Sequence, residues 1–338
     1  RGANDDKGQT FMHVKAFEYL LRNGLLEHNV KFIIEGEEEI GSKHLAAWVE
    51  EHREMLACDI ILVSDTTMIS DKVPSINCGM RGVTYLQLNV KGPDKDLHSG
   101  HYGGAVANPI NTLCDMISSL IDKDGRVTIP GFYDDGVEVS REDRDELARA
   151  PFDMEEYKAG IGIREVKGEK GYTTLERTAI RPCLDVCGIW GGYTGAGSKT
   201  VLPSEAHAKI SMRIVPDQKA DRIIDLAEKH LRAIAPDYVE VSIEKMEAGN
   251  GFLIPITSSA YQAASRAMAE VYGIERVPSR GGGSICVLAD MRNILGADPL
   301  LMGFGLERDT IHSPNESYLI RQLEAGIESI ALFYEYWK

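Results

Sequence analysis

Two rounds of helix and strand at short spacing constrain this chain more than any other feature. Residues 10–23 place Phe11, Val14, Phe17, Leu20 and Leu21 on one helical stripe that stops at Asn23-Gly24, and the apolar run VKFIIE follows at 30–35. A second helical pattern over 42–55 leads into the apolar run 59–63. Helix, strand, helix, strand with short connections predicts a mostly parallel sheet covered by helices. After Gly79 the pattern changes. Residues 82–90 alternate, 122–135 and 188–197 are turn-rich, and 138–149 are charged. A strand at 205–215, a helix at 221–235 and a strand at 239–246 then suit a small α+β domain. From Ile256 the first pattern resumes, with a helix to Tyr272, a glycine turn at 281–283 and a last helix over 318–337. The predicted fold class is therefore an α/β domain built from residues 1–80 and 249–338, interrupted by an inserted α+β domain at 81–248.

Charge narrows the partners. The 338 residues carry 37 basic and 52 acidic side chains, a formal charge of −15, which argues against nucleic acid or an anionic membrane as partner. No apolar run approaches the ~18 residues of a spanning helix. The six cysteines lack Cys-x-x-Cys spacing and read as reduced, mostly buried thiols. Position 1 is arginine and the first helix signal begins almost at once, the pattern expected of a chain whose native start lies upstream.

Chemistry collects near the predicted strand ends. Asp5-Asp6-Lys7-Gly8 precedes the first helix, Glu37-Glu38-Glu39 follows VKFIIE, Asp65 follows the second apolar run, and His312 precedes the last helix. Taken singly, each has an ordinary structural reading: a helix cap, a solvated turn, a turn cap. Together they favour a metal centre, because acidic groups clustered at buried strand ends repel one another unless a cation neutralises them. Zinc accepts carboxylate oxygen and imidazole nitrogen, and paired sites need a group that bridges two ions about 3.5–4 Å apart.

Six ordered motifs carry a resemblance that covers nearly the whole chain. They are the run Arg1 to Gly8, the run Glu35 to Ser42, Val63-Ser64-Asp65, Asp96-Leu97-His98-Ser99-Gly100, Gly282-Gly283-Ser284-Ile285 and His312-Ser313-Pro314-Asn315-Glu316. The chain resembles the di-zinc metallopeptidases and deacylases that include carnosine dipeptidase, succinyl-diaminopimelate desuccinylase and aminoacylase. The run Asp96 to Gly104 most resembles the cytosolic nonspecific dipeptidase branch. The resemblance implies a zinc-peptidase-like catalytic domain, an inserted lid and dimerisation domain, a homodimer and a cytoplasmic location.

Carried over residue by residue, the resemblance makes Asp5 a bridging carboxylate, Glu39 and His312 ligands of one metal, and Asp65 a ligand of the other. Glu38 would be the general base for a hydroxide shared by the two ions, zinc or else manganese or cobalt, and Glu37 a neighbour without a role. It implies a cis Asp5–Asp6 peptide and a further ligand histidine upstream of Arg1; weak metal binding and little activity are expected if this piece is the whole molecule. His98 would donate to the oxyanion in the partner subunit's site, Arg213 would grip the substrate carboxylate, and Thr200, Gly282, Gly283 and Ser284 would contact substrate. The other histidines, His13 and His101 among them, are read as solvent-facing or structural. At Gly281 the chain departs from dipeptidase relatives, which carry a glutamate there to meet a free amino group. The expected activity is hydrolysis of dipeptides or short peptides. An N-acyl amino acid deacylase and a noncatalytic binding protein on the same fold are the alternatives.

Overall fold

The computed structural model describes residues 2–135 and 138–338. In chain order the helices and strands are α1 (Lys7–Arg22), α2 (Leu45–Glu51), α3 (Arg53–Leu56), β1 (Ile60–Val63), β2 (Ser75–Met80), β3 (Gly82–Lys91), β4 (Leu97–His98), α4 (Ser99–Tyr102) and α5 (Pro109–Ser119). Next come α6 (Arg141–Leu147), α7 (Met154–Ile161), α8 (Thr174–Ala179), β5 (Cys183–Gly191), β6 (Val201–Leu202), β7 (Glu205–Ile214), α9 (Ala220–Ile234) and β8 (Glu240–Gly249). The chain closes with β9 (Phe252–Leu253), α10 (Ser259–Tyr272), β10 (Val277–Gly281), α11 (Cys286–Leu295), β11 (Asp298–Leu301) and α12 (Ile320–Tyr336). Two compact units result: Arg1–Met80 with Val139–Met154 and Phe252–Lys338, and Arg81–Glu138 with Glu155–Gly251. Residues 139–154, placed in the insert by the sequence reading, pack in the first unit, where α6 lies against β10.

The first unit holds a sheet in the order β1-β11-β2-β10, with β9 on β2. Its parallel character is local. β1 pairs parallel with β11 and β2 with β10, while β11 meets β2 antiparallel through the single pair Leu301 and Asn77. β2 is buried along its whole length, as a strand covered on both faces must be. Helices α1, α10 and α12 pack together around Met12, Ala16, Leu20, Ala264, Met268, Ile330 and Phe333.

One predicted strand does not form. VKFIIE has strand composition, yet residues 30–35 are irregular, with Phe32, Ile33 and Ile34 exposed by 45%, 37% and 73%. Composition supplies only half of a strand, because the backbone must also find a neighbour to bond. No described strand pairs with this segment, and β1 stands at the end of the sheet order. Phe32 instead meets Phe17 edge-on, with ring centroids 5.5 Å apart.

The second unit is an antiparallel sheet, β5-β7-β3-β8, with a separate pair β4-β6. β3 shows the alternation that one-sided burial demands: Leu86, Leu88 and Val90 face a core shared with Leu113 and Met116 of α5 and Ile223, Ala227 and Leu231 of α9. A buried bidentate pair, Arg181 Nε and Nη2 to the Glu169 carboxylate at 2.7 Å each, is flanked by the rings of Tyr172 and Tyr133. Such a pair specifies geometry more than it adds stability.

Candidate metal centre

The first unit gathers its acidic side chains from three places. Asp5 and Asp6 stand at the N-terminus of α1, joined by a cis peptide bond as the resemblance implies. Glu38 and Glu39 lie on a single 3-10 turn that ends at Gly41, whose φ of 89° suits glycine. That turn positions Glu39 although the strand expected before it is absent. Asp65 follows β1, and His312 sits in the loop between β11 and α12 at a φ of 59°.

Three of the expected ligands converge. His312 Nε2 lies 2.8 Å from Asp5 Oδ2 and 3.4 Å from Glu39 Oε2, and one donor atom from each of the three residues falls within 4.8 Å of the others. Asp65 is outside that trio but senses it: burial first, then the charges of Asp6, Asp5, Glu38 and Glu39, push its carboxyl up to about 7. Glu38 is half-buried and its carboxyl is also raised, by burial first and then by Glu39, Asp5, Glu35 and Asp6. Glu37 behaves differently. Its carboxylate pairs with His44 Nδ1 at 2.7 Å, and that hydrogen bond holds its carboxyl low.

A buried polar network holds the Asp5 segment against the His312 loop. The backbone N–H groups of Asn4 and Asp5 both donate to Glu316 Oε1 at 2.8 Å. Asn4 Nδ2 donates to Asp309 Oδ2 at 2.9 Å, and the same oxygen accepts from Leu306 N–H at 2.8 Å. Gln9 Nε2 donates to the Asn4 carbonyl at 3.2 Å, and Gln9 Oε1 accepts from Phe304 N–H at 2.8 Å. Asn4, Gln9 and Asp309 are at most 2% exposed, so each bond replaces water that cannot reach these groups. A Cβ at Gly2 would collide with the Glu316 carboxylate and displace it from the Asn4 and Asp5 N–H groups. Asn4 and Glu316 lie within motifs that carry the resemblance, which assigns them no role; Gln9 and Asp309 carry no signal in the sequence.

The glycine turn at 282–284 also belongs to the first unit, between β10 and α11. A Cβ at Gly281 would stand 2.8 Å from Asn77 Nδ2 and 3.3 Å from Met80 Cε, so any side chain there displaces Asn77. His98, Thr200 and Arg213 belong to the second unit. His98 pairs with Val201 across β4-β6, its Nδ1 accepts the Gly100 N–H at 3.0 Å, and its ring stacks on His101 at 4.5 Å. Because Nδ1 is an acceptor, the neutral ring carries its proton on Nε2. Thr200 contributes its carbonyl to Ser99 N–H at 3.1 Å. Arg213 is half-buried on β7 beside Val83 and Cys183. The six cysteines are free thiols, and Cys58, Cys114 and Cys187 are exposed rather than buried as expected.

A family model described as peptidase family M20/M25/M40 matches residues 1–336. The chain belongs to this peptidase family. Among its relatives, human Beta-Ala-His dipeptidase is 31% identical over 342 residues, which cover 99% of this chain and 67% of the relative. The Cys-Gly metallodipeptidase DUG1 of Candida albicans is 30% identical over 345 residues, covering 100% of this chain and 71% of the relative. A solved metallo-carboxypeptidase of the same family from Sulfolobus solfataricus superimposes with a TM-score of 0.90 at 31% identity, covering 100% of this chain and 77% of its own. The chain thus spans between two thirds and four fifths of the length of these three relatives.

Membership makes the protein a metal-dependent peptide hydrolase that binds divalent metal, and the donor set fits that. Two carboxylates and an imidazole within 4.8 Å are the oxygen and nitrogen donors that divalent ions such as zinc accept. Burial first, and neighbouring carboxylates after it, raise the carboxyls of Glu38 and Asp65, and a bound cation would offset that repulsion. Among the described residues, no helix is long and apolar enough to cross a membrane.

Proposed function

We propose that the protein hydrolyses dipeptides or short peptides with two divalent ions, zinc in the first instance, held by Asp5, Glu39, His312 and Asp65. The convergence of Asp5, Glu39 and His312 donor atoms within 4.8 Å carries this reading. In it Asp5, Glu39 and His312 would hold one ion, and Asp5 with Asp65 the other. Bound ions of this kind polarise the scissile carbonyl and lower the pKa of water towards 7.

The remaining work falls to the chain's own side chains. Glu38, half-buried with its carboxyl raised by burial first and then by Glu39 and Asp5, accepts a proton from the attacking water and returns it to the leaving amine. His98, with its proton held on Nε2 by the Gly100 N–H at Nδ1, donates in the partner subunit's site to the oxygen that becomes negative as the carbonyl is attacked. Arg213 offers a planar fork to the substrate carboxylate. Thr200, Gly282, Gly283 and Ser284 complete the substrate contacts, and the working form is a homodimer in the cytoplasm.

A second reading keeps the metals and takes an N-acylated amino acid as substrate. It is favoured by Gly281, where no carboxylate is available to meet a free ammonium and where Asn77 occupies the space a side chain would need. Comparing hydrolysis of Ala-Ala and N-acetyl-alanine separates the two. The dipeptidase reading expects the higher kcat/KM on Ala-Ala, and the reverse order overturns it in favour of the deacylase.

A further inference from the structure

His13 was set aside with the structural histidines, yet it touches the segment that carries Asp65. Its Nε2 lies 2.8 Å from Ser64 Oγ. Ser64 is 5% exposed and immediately precedes Asp65. Burial drives the His13 pKa down to about 4, so the ring is neutral at physiological pH and offers one N–H and one acceptor.

The surrounding hydrogen bonds show why this contact matters. Val63 is anchored to the neighbouring strand, its carbonyl accepting Met302 N–H at 2.8 Å. Thr66 is anchored by Gly305 N–H at 3.3 Å, and Met68 N–H returns to the Gly305 carbonyl at 2.8 Å. Between these anchors lies the Ser64–Asp65 dipeptide, and among the described hydrogen bonds the one on it is that from His13. The other end of the tie is equally defined. α1 starts directly after Asp5–Asp6, and His13 follows Asp6 by seven residues, about 10 Å of rigid helix at 1.5 Å per residue. One helix therefore carries the Asp5 carboxylate at its start and grips the neighbour of Asp65 two turns later.

We propose that His13 is a positioning residue which, through Ser64, sets the Asp65 carboxylate relative to Asp5 for binding of the second divalent ion. The inference rests on the metal-centre reading above. Ligating groups are oriented by the hydrogen bonds behind them, and losing such a partner typically weakens metal binding about 10–100-fold.

The test measures zinc affinity by chelator competition, with the thermal midpoint of the metal-free protein in parallel, in wild type, His13→Leu, His13→Gln, Ser64→Ala and Asp65→Ala. Leucine keeps the bulk and loses the hydrogen bond, whereas glutamine can place a nitrogen near the position of Nε2. The proposal expects His13→Leu and Ser64→Ala to weaken one zinc site about 10–100-fold, with His13→Gln restoring most of the loss at an unchanged metal-free midpoint. It also expects the His13→Leu, Ser64→Ala double variant to be no worse than either single one. Unchanged zinc affinity in His13→Leu overturns the proposal, as does glutamine failing where leucine fails. Asp65→Ala separates the two levels: if it leaves both the number and the affinity of bound ions unaltered, the metal-centre reading itself falls. If Asp65→Ala removes an ion while His13→Leu changes nothing, the role of His13 alone is refuted.

Discussion

Glu38→Gln is expected to lower kcat by about 10²–10⁴-fold, the range that a positioned proton acceptor contributes, while metal content and KM stay close to wild type. Glutamine preserves the shape and hydrogen-bonding reach of the side chain and removes only its capacity to take a proton. The choice of Glu38 over its neighbours is physical. Glu37 is engaged with His44 and held acidic, and Glu39 is the carboxylate that meets His312. Glu38 remains, with its carboxyl raised by burial first and then by the charges of Glu39, Asp5, Glu35 and Asp6. Activity assays paired with elemental analysis check the assignment. Loss of metal together with activity would make Glu38 a ligand, and full activity would remove it from the chemistry.

Glu316→Ala is expected to weaken divalent metal binding about 10–100-fold, as removal of groups that support ligands does. Two backbone N–H groups, those of Asn4 and Asp5, depend on Glu316 Oε1. Without it the Asp5 segment loses a charge-assisted tie to the loop that bears His312. The defect should show as a requirement for added metal: activity recovers at high zinc and collapses under mild chelation. Glu316→Gln retains an acceptor oxygen and should lose less. Chelator titration of both variants measures this, and identical affinity in Glu316→Ala and wild type would show that Asp5 is placed by other means.

Much of this architecture is legible in the sequence because it follows from local periodicity. The helix expected at 221–235 forms as α9 and the strand at 205–215 as β7, each within a residue of its expected limits, since one-sided burial writes itself into residue spacing. VKFIIE shows where that logic stops. Its apolar character marks a segment that favours a sheet, but pairing depends on a neighbour that local sequence does not specify. The trio Asp5, Glu39 and His312 could be anticipated from ordered motifs, since each residue alone has an ordinary structural reading. The supports behind it could not. Asn4 meets Asp309 across 305 positions and His13 meets Ser64 across 51, and no pattern of spacing connects such pairs before the chain is folded.

The most direct test of the account is the metal content per chain of the purified protein, determined by elemental analysis in wild type and His312→Ala after equilibration with zinc-containing buffer and removal of unbound metal. The account predicts bound divalent metal in the wild type and at least one ion fewer in the variant. A wild type that retains no divalent metal, or a His312→Ala variant that holds as much as the wild type, contradicts it.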